Sequence, residues 1–312
     1  MESSWGMTVL GMFTPIVLVI GLVLAIHLFV RRQRARKRYS PLTEAMLRTP
    51  GQHLEEEQSK LEEKLYLGVT TVLLFPVVVY VGARSSLVAW AIVVIIVGIG
   101  VWSLFRTFSK ALNLRLAIDG EQYTGLELNY LMRNGAWVFH DIPYQYGNID
   151  HIVVSTGGVF AVETKTYRKP AGAREGSREY KVTRNGNTLE FPHFRTSEPI
   201  EQARRHAKHV QSSIRNNLGI TVPVTPVVAL PGWFVEPSPK IDVRVINPKR
   251  GGALAAQVQQ DTVSPQQAEL IANYIESVAR SVPAGSKKMD PDASKFYDFW
   301  NKRRFEERKL GQ

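Results

Sequence analysis

Asp150, Glu163 and Lys165 are the residues whose types and spacing most readily do chemistry. They lie in IDHIVVSTGGVFAVETK, residues 149–165, which reads as two short strands joined by a Gly-Gly turn. Ile152, Val153, Val154, Val159, Phe160, Ala161 and Val162 suit a buried sheet, but a strand that only fills a core has no use for three charges. Side chains alternate along a strand, so Glu163 and Lys165 share one face and Thr164 takes the other. With an even-numbered turn, Asp150 opposes Glu163 or Lys165, and the three charges gather at the far end of the hairpin. A three-residue loop without a bulge would break that alignment. Two carboxylates a few ångströms apart repel, and burying them is costly unless a cation sits between them. Hard oxygen ligands with open positions suit Mg²⁺ or Mn²⁺. A neighbouring lysine can orient an attacking water and neutralise charge in a phosphorane-like transition state. A surface salt bridge of Lys165 with Glu163 or Asp150 accounts for the same spacing.

Two further sets of residues stand near this motif. Gln202, Arg205, His206 and His209 recur at helical spacing, opposite the apolar stripe of Ile200, Ala203, Ala207, Val210 and Ile214. That face is either ordinary solvated surface or a wall of the site, where Arg205 and Lys208 reach phosphates and Gln202 holds a water. A His pair would favour zinc, whereas the carboxylates suit magnesium. Lys165, Arg168, Lys169, Arg174, Arg178, Lys181 and Arg184 form a basic tract that fits a nucleic-acid backbone, with Tyr167 and Tyr180 available for base stacking. A solvated loop explains the tract equally well.

These residues need elements to position them. The chain of 312 residues has a formal charge of +11 and no cysteine, which excludes disulfides and thiolate metal sites. A basic balance suits nucleic acid or anionic lipid. Three apolar runs occupy the first third: 7–30, 66–83 and 87–105. Each approaches the roughly 20 residues that span a bilayer. The basic cluster at 31–38 follows the first run instead of preceding it, which is the order of a retained anchor and not of a signal peptide. Lys and Arg favour the cytoplasmic side, so the N-terminus is expected outside and the linker 31–64 inside. Residues 84–86 then form an external turn, and everything after 105 is cytoplasmic. The expected organisation is a membrane anchor (1–110), a soluble domain (111–284) and a charged tail helix (285–312). Within the soluble domain, helical 125–132 ends at Asn134-Gly135 and strand 137–140 precedes the charged hairpin. A second hairpin covers 180–191, a helix 198–216, strands 225–230 and 241–246. A final helix opens on the capping box Ser264-Pro265-Gln266-Gln267, with Leu270, Ile271, Tyr274, Ile275 and Val278 as its buried stripe. This order is α/β.

GLELNYL, GNIDHIVVSTGGVFAVETKT and PIEQARRHAKHV, taken together, resemble the nuclease-related domain (NERD) family of the restriction-endonuclease-like, PD-(D/E)XK superfamily. The resemblance covers about residues 115–230. It implies a mixed sheet flanked by helices and a metal held by Asp150, Glu163 and the carbonyl of Thr164. An acid on the preceding helix completes the set; Glu127 is the matching position and Glu121 a second candidate. Lys165 and Gln202 complete the catalytic group, and Arg168, Lys169, Lys181 and Arg205 are the expected nucleic-acid contacts. Glu198 stands where the family often has Asn, which bears on a helix-entry contact. The implied function is a Mg²⁺- or Mn²⁺-dependent nuclease acting on DNA, anchored by three transmembrane helices in a bacterial cytoplasmic membrane. A non-catalytic nucleic-acid- or partner-binding module of the same fold is the alternative, and a lipid-associated scaffold a further one.

Overall fold

The computed structural model describes residues 46–83, 87–144, 147–170, 178–237 and 242–280. The expected span 7–30, the basic cluster 31–38, Arg174 and the tail helix 285–312 lie outside the described residues. The chain divides into two compact units: residues 59–112, and residues 46–58 together with 113–280.

In the first unit, helix α1 (Gln52–Ala83) contributes its residues from 59 onward, and helix α2 (Leu87–Leu128) its residues up to 112. Small residues let the two helices approach here. A Cβ at Gly68 would stand 2.7 Å from Leu104 Cδ2, and one at Gly100 2.6 Å from Val72 Cγ2. Leu73, Ile95, Ile99, Trp102 and Phe105 are exposed. Among the described residues, one helix, the one carrying Trp90, is long and apolar enough to cross a membrane, with a mean hydropathy of 2.1 in its most apolar stretch. It contains the expected span 87–105, and span 66–83 forms the second half of α1 around Pro76.

In the second unit, α2 tightens into a 3-10 turn over Asn129–Asn134. Gly135 ends it with φ 79°, a left-handed cap suited to glycine, and donates its N–H to Leu131 and Met132. Strands β1 (Trp137–Tyr144), β2 (Gly147–Ser155) and β3 (Gly158–Thr164) follow. Next come the small strands β4 (Lys181–Asn185), β5 (Thr188–Glu190) and β6 (Arg195–Thr196), and helix α3 (Glu198–Leu218). Strands β7 (Val224–Ala229), β8 (Phe234–Val235) and β9 (Arg244–Ile246) and helix α4 (Pro265–Ala279) complete the order. Among the described residues the main sheet runs β1-β2-β3-β7-β9, antiparallel on the β1–β3 side and parallel from β3 to β9. A second sheet runs β6-β5-β4-β8. The fold is α/β, with mixed sheets flanked by helices.

Both faces of the main sheet are covered, which is why β2 and β3 read as continuous apolar runs. Ile152, Val154, Val159 and Ala161 pack toward Ala207, Val210 and Ile214 of α3 and Ile271 and Ile275 of α4. Val153, Phe160 and Val162 pack on the other side with Leu128, Leu131 and Leu254. Ser264 and Gln267 form the expected capping box of α4. Its stripe differs from expectation at Leu270, which is exposed, while Ala268 and Ala272 are buried. Small alanines let this helix lie close to the sheet.

Candidate active site

The β2–β3 turn has two residues, Thr156 and Gly157, between the paired Ser155 and Gly158. Glycine is required at 157, because a Cβ there would stand 1.8 Å from the carbonyl oxygen of Gln257. The register through His151↔Val162 carries Asp150 to the position opposite Glu163. Both lie on the face that α3 covers, Glu163 at the C-terminal end of β3, which pairs in parallel with β7, and Asp150 opposite it on β2, a usual place for sites in such sheets.

Asp150 and Glu163 are buried, 5% and 2% exposed, which sets them apart from an ordinary surface ion pair. Asp150 Oδ2 accepts the Thr164 N–H at 2.7 Å. Burial, then Glu163 and Glu121, push its carboxyl well above the usual range, against the pull of that N–H and of Lys165. Glu163 Oε1 lies 3.1 Å from Lys165 Nζ, which is also 3.6 Å from Glu198 Oε1. Burial works against the Lys165 ammonium, but Glu163, Glu198 and Asp150 outweigh it and raise its pKa. The Lys165 N–H donates to Ala229, holding the chain in register beyond β3. Glu198 is therefore a partner of Lys165 as well as the entry to α3.

The acid that joins this pair from α2 is Glu121. Gly120 makes the approach possible, since a Cβ there would overlap Thr166 Oγ1 at 1.6 Å. Glu121 is 6% exposed and its Oε2 has no hydrogen-bond partner. Burial lifts its pKa to about 7; Asp141 and Glu163 add to the rise, while His53 and Lys165 oppose it. Glu127, the position matched by resemblance, stands elsewhere: its Oε2 accepts the Arg250 N–H at 2.5 Å. Six residues of helix separate the two acids by roughly 240° around the axis, so both cannot face one site.

His206 departs from the expected face of α3: it lies with the apolar stripe instead of opposite it, and it faces the carboxylates, as the second of the two readings had it. It falls three residues after Ala203 and four before Val210, which places it on the buried side. Its Nε2 is 3.0 Å from Tyr144 Oη, and its Nδ1 is 3.0 Å from Glu163 Oε2. That second approach is close enough for electrostatic attraction, yet neither Nδ1 nor Oε2 completes an aligned hydrogen bond. Gln202 is half-buried on the same helix, and Arg205 and Lys208 are exposed.

Behind Thr164 runs a line of neutral polar groups. Its Oγ1 is 3.2 Å from His151 Nε2, the two imidazoles meet at 2.9 Å, and His140 Nε2 is 3.2 Å from Asn129 Oδ1. Burial takes His151 well below its ordinary pKa and His140 down to about 4. On the opposite flank, buried Asp141 binds Arg48, His53 and Asn148. The sequence reading missed His53 and Arg48, because residues 46–58 looked like part of a linker, and Asp141, which falls just past the expected strand 137–140.

The expected nucleic-acid contacts are dispersed. Arg168 and Arg205 are exposed. Lys169 Nζ lies 3.2 Å from the centre of the Tyr180 ring, and Lys181 pairs with Glu236 at 3.5 Å. Arg184 is structural instead, tied to Gly186, Val243 and Asp242. Tyr167 packs edge-on against Phe191 and Phe194, so it is part of an aromatic cluster and not a free stacking platform. Among the described residues, no group of three or more His, Asp or Glu side chains is spaced to hold a metal ion.

Fold and site together define an α/β domain with buried acids and a lysine at the end of a central strand. Residues 117–231 match the family model of the nuclease-related domain, NERD. No curated protein and no solved structure matches the chain.

Proposed function

We propose that the second unit is a divalent-metal-dependent nuclease that hydrolyses phosphodiester bonds in DNA, and that the apolar helices tether it to a membrane. One observation carries the reading. Asp150, Glu163 and Glu121 are buried, the charge of Glu163 adds to the cost of ionising the other two, and Glu121 Oε2 and Glu163 Oε2 lack hydrogen-bond partners. Carboxylates left in that condition fit a missing cation. Mg²⁺ takes one or two carboxylates and keeps waters, so it does not need a complete protein shell. Asp150, Glu163 and the Thr164 carbonyl would hold Mg²⁺ or Mn²⁺, with Glu121 in the role first assigned to Glu127. The metal supplies Lewis-acid polarisation of the phosphate and lowers the pKa of a bound water.

Lys165, held between Glu163 and Glu198, orients the attacking water and offsets charge on the phosphoryl oxygens. His206 of α3, held by Tyr144 of β1, stands beside the Glu163 carboxylate. Gln202 has an auxiliary part, and Arg168, Lys169, Lys181 and Arg205 supply salt-dependent contacts to the backbone of the strand. The exposed apolar surface of α1 and α2 supports burial in lipid. Arg106 and Lys110 beyond the third run, with the cluster at 31–38, favour a cytoplasmic domain in a bacterial cytoplasmic membrane.

The test is Mg²⁺ binding and plasmid cleavage by the full chain in lipid nanodiscs, beside Asp150→Ala and Lys165→Ala. Cleavage lost in both, with metal binding lost mainly in the first, supports the nuclease and the division of roles. DNA binding without cleavage under any divalent metal would sink it in favour of a non-catalytic module.

A further inference from the structure

His53 belongs to the segment just before the apolar helix, yet it is built into the flank of the carboxylate site. The first four N–H groups of a helix lack internal partners. In α1 one of them, the His53 N–H, is taken by Asp141 Oδ2 at 3.1 Å, from 88 residues away. The same carboxylate also holds the imidazole, with His53 Nδ1 2.5 Å from Asp141 Oδ1. Capping the helix needs only the backbone bond, so the side-chain bond is a second device. Arg48 Nε at 2.6 Å and Asn148 Nδ2 at 2.5 Å lock the other sides of Asp141. A carboxylate on Nδ1 fixes ring orientation and leaves Nε2 as the working nitrogen. In His53 that atom has no hydrogen-bond partner among the described residues, and the side chain keeps 31% exposure.

The turn that leads into this residue abuts the site. Gly51 has φ 75°, and a Cβ there would stand 3.6 Å from Glu121 Cβ and 3.8 Å from the unpartnered Glu121 Oε2. The charged and titratable groups that face His53 are Asp141, Glu121 and Arg48. Burial lowers its pKa, but the two acids outweigh burial and Arg48 and raise it. Paired with Asp141 at 2.5 Å, the ring stands beside a site whose other visible groups are mostly acids.

We infer that His53, oriented by Asp141, is a further substrate-contacting residue, which donates through Nε2 to a phosphate oxygen of the bound DNA strand. The inference rests on the nucleic-acid reading of the site but not on cleavage. A segment that passes directly into the apolar helix then supplies part of the strand-binding surface.

The test measures both binding and turnover in the full chain. Affinity for a short fluorescent DNA duplex is read in the Lys165→Ala background, with and without His53→Ala, His53→Gln and Asp141→Asn. Cleavage kinetics are read in the otherwise unchanged chain. Loss of one charge-assisted hydrogen bond corresponds to about 10- to 100-fold weaker binding. The expected results are that loss for His53→Ala, a rise in KM larger than the fall in kcat, and partial recovery of affinity on adding free imidazole. Asp141→Asn should weaken binding less than His53→Ala. Unchanged affinity in His53→Ala overturns the inference. So does a loss that imidazole does not restore and that tracks a lowered melting temperature, because His53 then only pins the helix. A chain that binds DNA through His53 but never cleaves it keeps this inference and loses the nuclease. A chain that neither binds nor cleaves loses both.

Discussion

Glu121→Gln should stabilise the metal-free protein, and do so more strongly as pH rises. In the fold the Glu121 carboxyl is raised from 4.5 to about 7, chiefly by burial. Between those values the folded state holds a proton that the unfolded state has released, so stability falls as pH rises through the window. At about 1.4 kcal/mol per pH unit, the rise to about 7 removes about 3 kcal/mol by pH 8. Gln does not titrate, and its amide can donate toward the neighbouring acids. The variant should therefore match the wild type near pH 4.5 and exceed it by about 3 kcal/mol at pH 8. With an m-value of about 2 kcal/mol/M, that is a midpoint shift of about 1.5 M urea. The assay is urea unfolding of the full chain in detergent with EDTA, followed by tryptophan fluorescence, in which buried Trp233 is one reporter. Adding Mg²⁺ at pH 8 should then narrow the gap, because a bound cation reverses the repulsion in the wild type only. A gap that is constant between pH 5 and pH 8, or that Mg²⁺ leaves untouched, would refute the reasoning from buried, mutually repelling acids.

Other outcomes follow from the same geometry. Gly120→Ala forces a Cβ into Thr166 Oγ1 and should cost about 1–3 kcal/mol by the same unfolding assay, with activity falling as Glu121 is pushed away. Glu127→Gln should leave cleavage within about threefold of wild type, since its carboxylate serves the Arg250 backbone; steady-state kinetics check this. His140, held down to about 4 by burial, binds a proton more readily when unfolded, so it withdraws up to about 3 kcal/mol of stability as pH falls from 6.5 to 4. Thermal melting of wild type against His140→Gln across that range should show the difference shrinking toward acid pH.

The alternation of β2 and β3 was legible because strand periodicity is local: a two-residue turn and a period of two suffice to put Asp150 and Glu163 opposite each other. The α3 stripe and the capping box of α4 were legible for the same reason. Face assignment at the edge of a helix was not. His206 lies between buried and solvated positions on the wheel, and only the packing of α3 against β3 sends it to Glu163. The choice between Glu121 and Glu127 was likewise beyond the sequence, since both sit on one helix and only the close approach at Gly120 selects a face.

The sequence by itself determined what contacts within a few residues determine: the charged hairpin, the apolar runs, the absence of thiols and the order of elements. Tertiary structure alone decided which distant groups meet. Asp141 reaches Arg48 and His53 across about ninety residues, and Glu121 comes within electrostatic reach of Asp150 and Glu163, because the start of α1, strand β1 and the end of β3 converge there. Burial then decides the chemistry, since in water Asp150 and Glu121 would titrate in the ordinary range and need no cation.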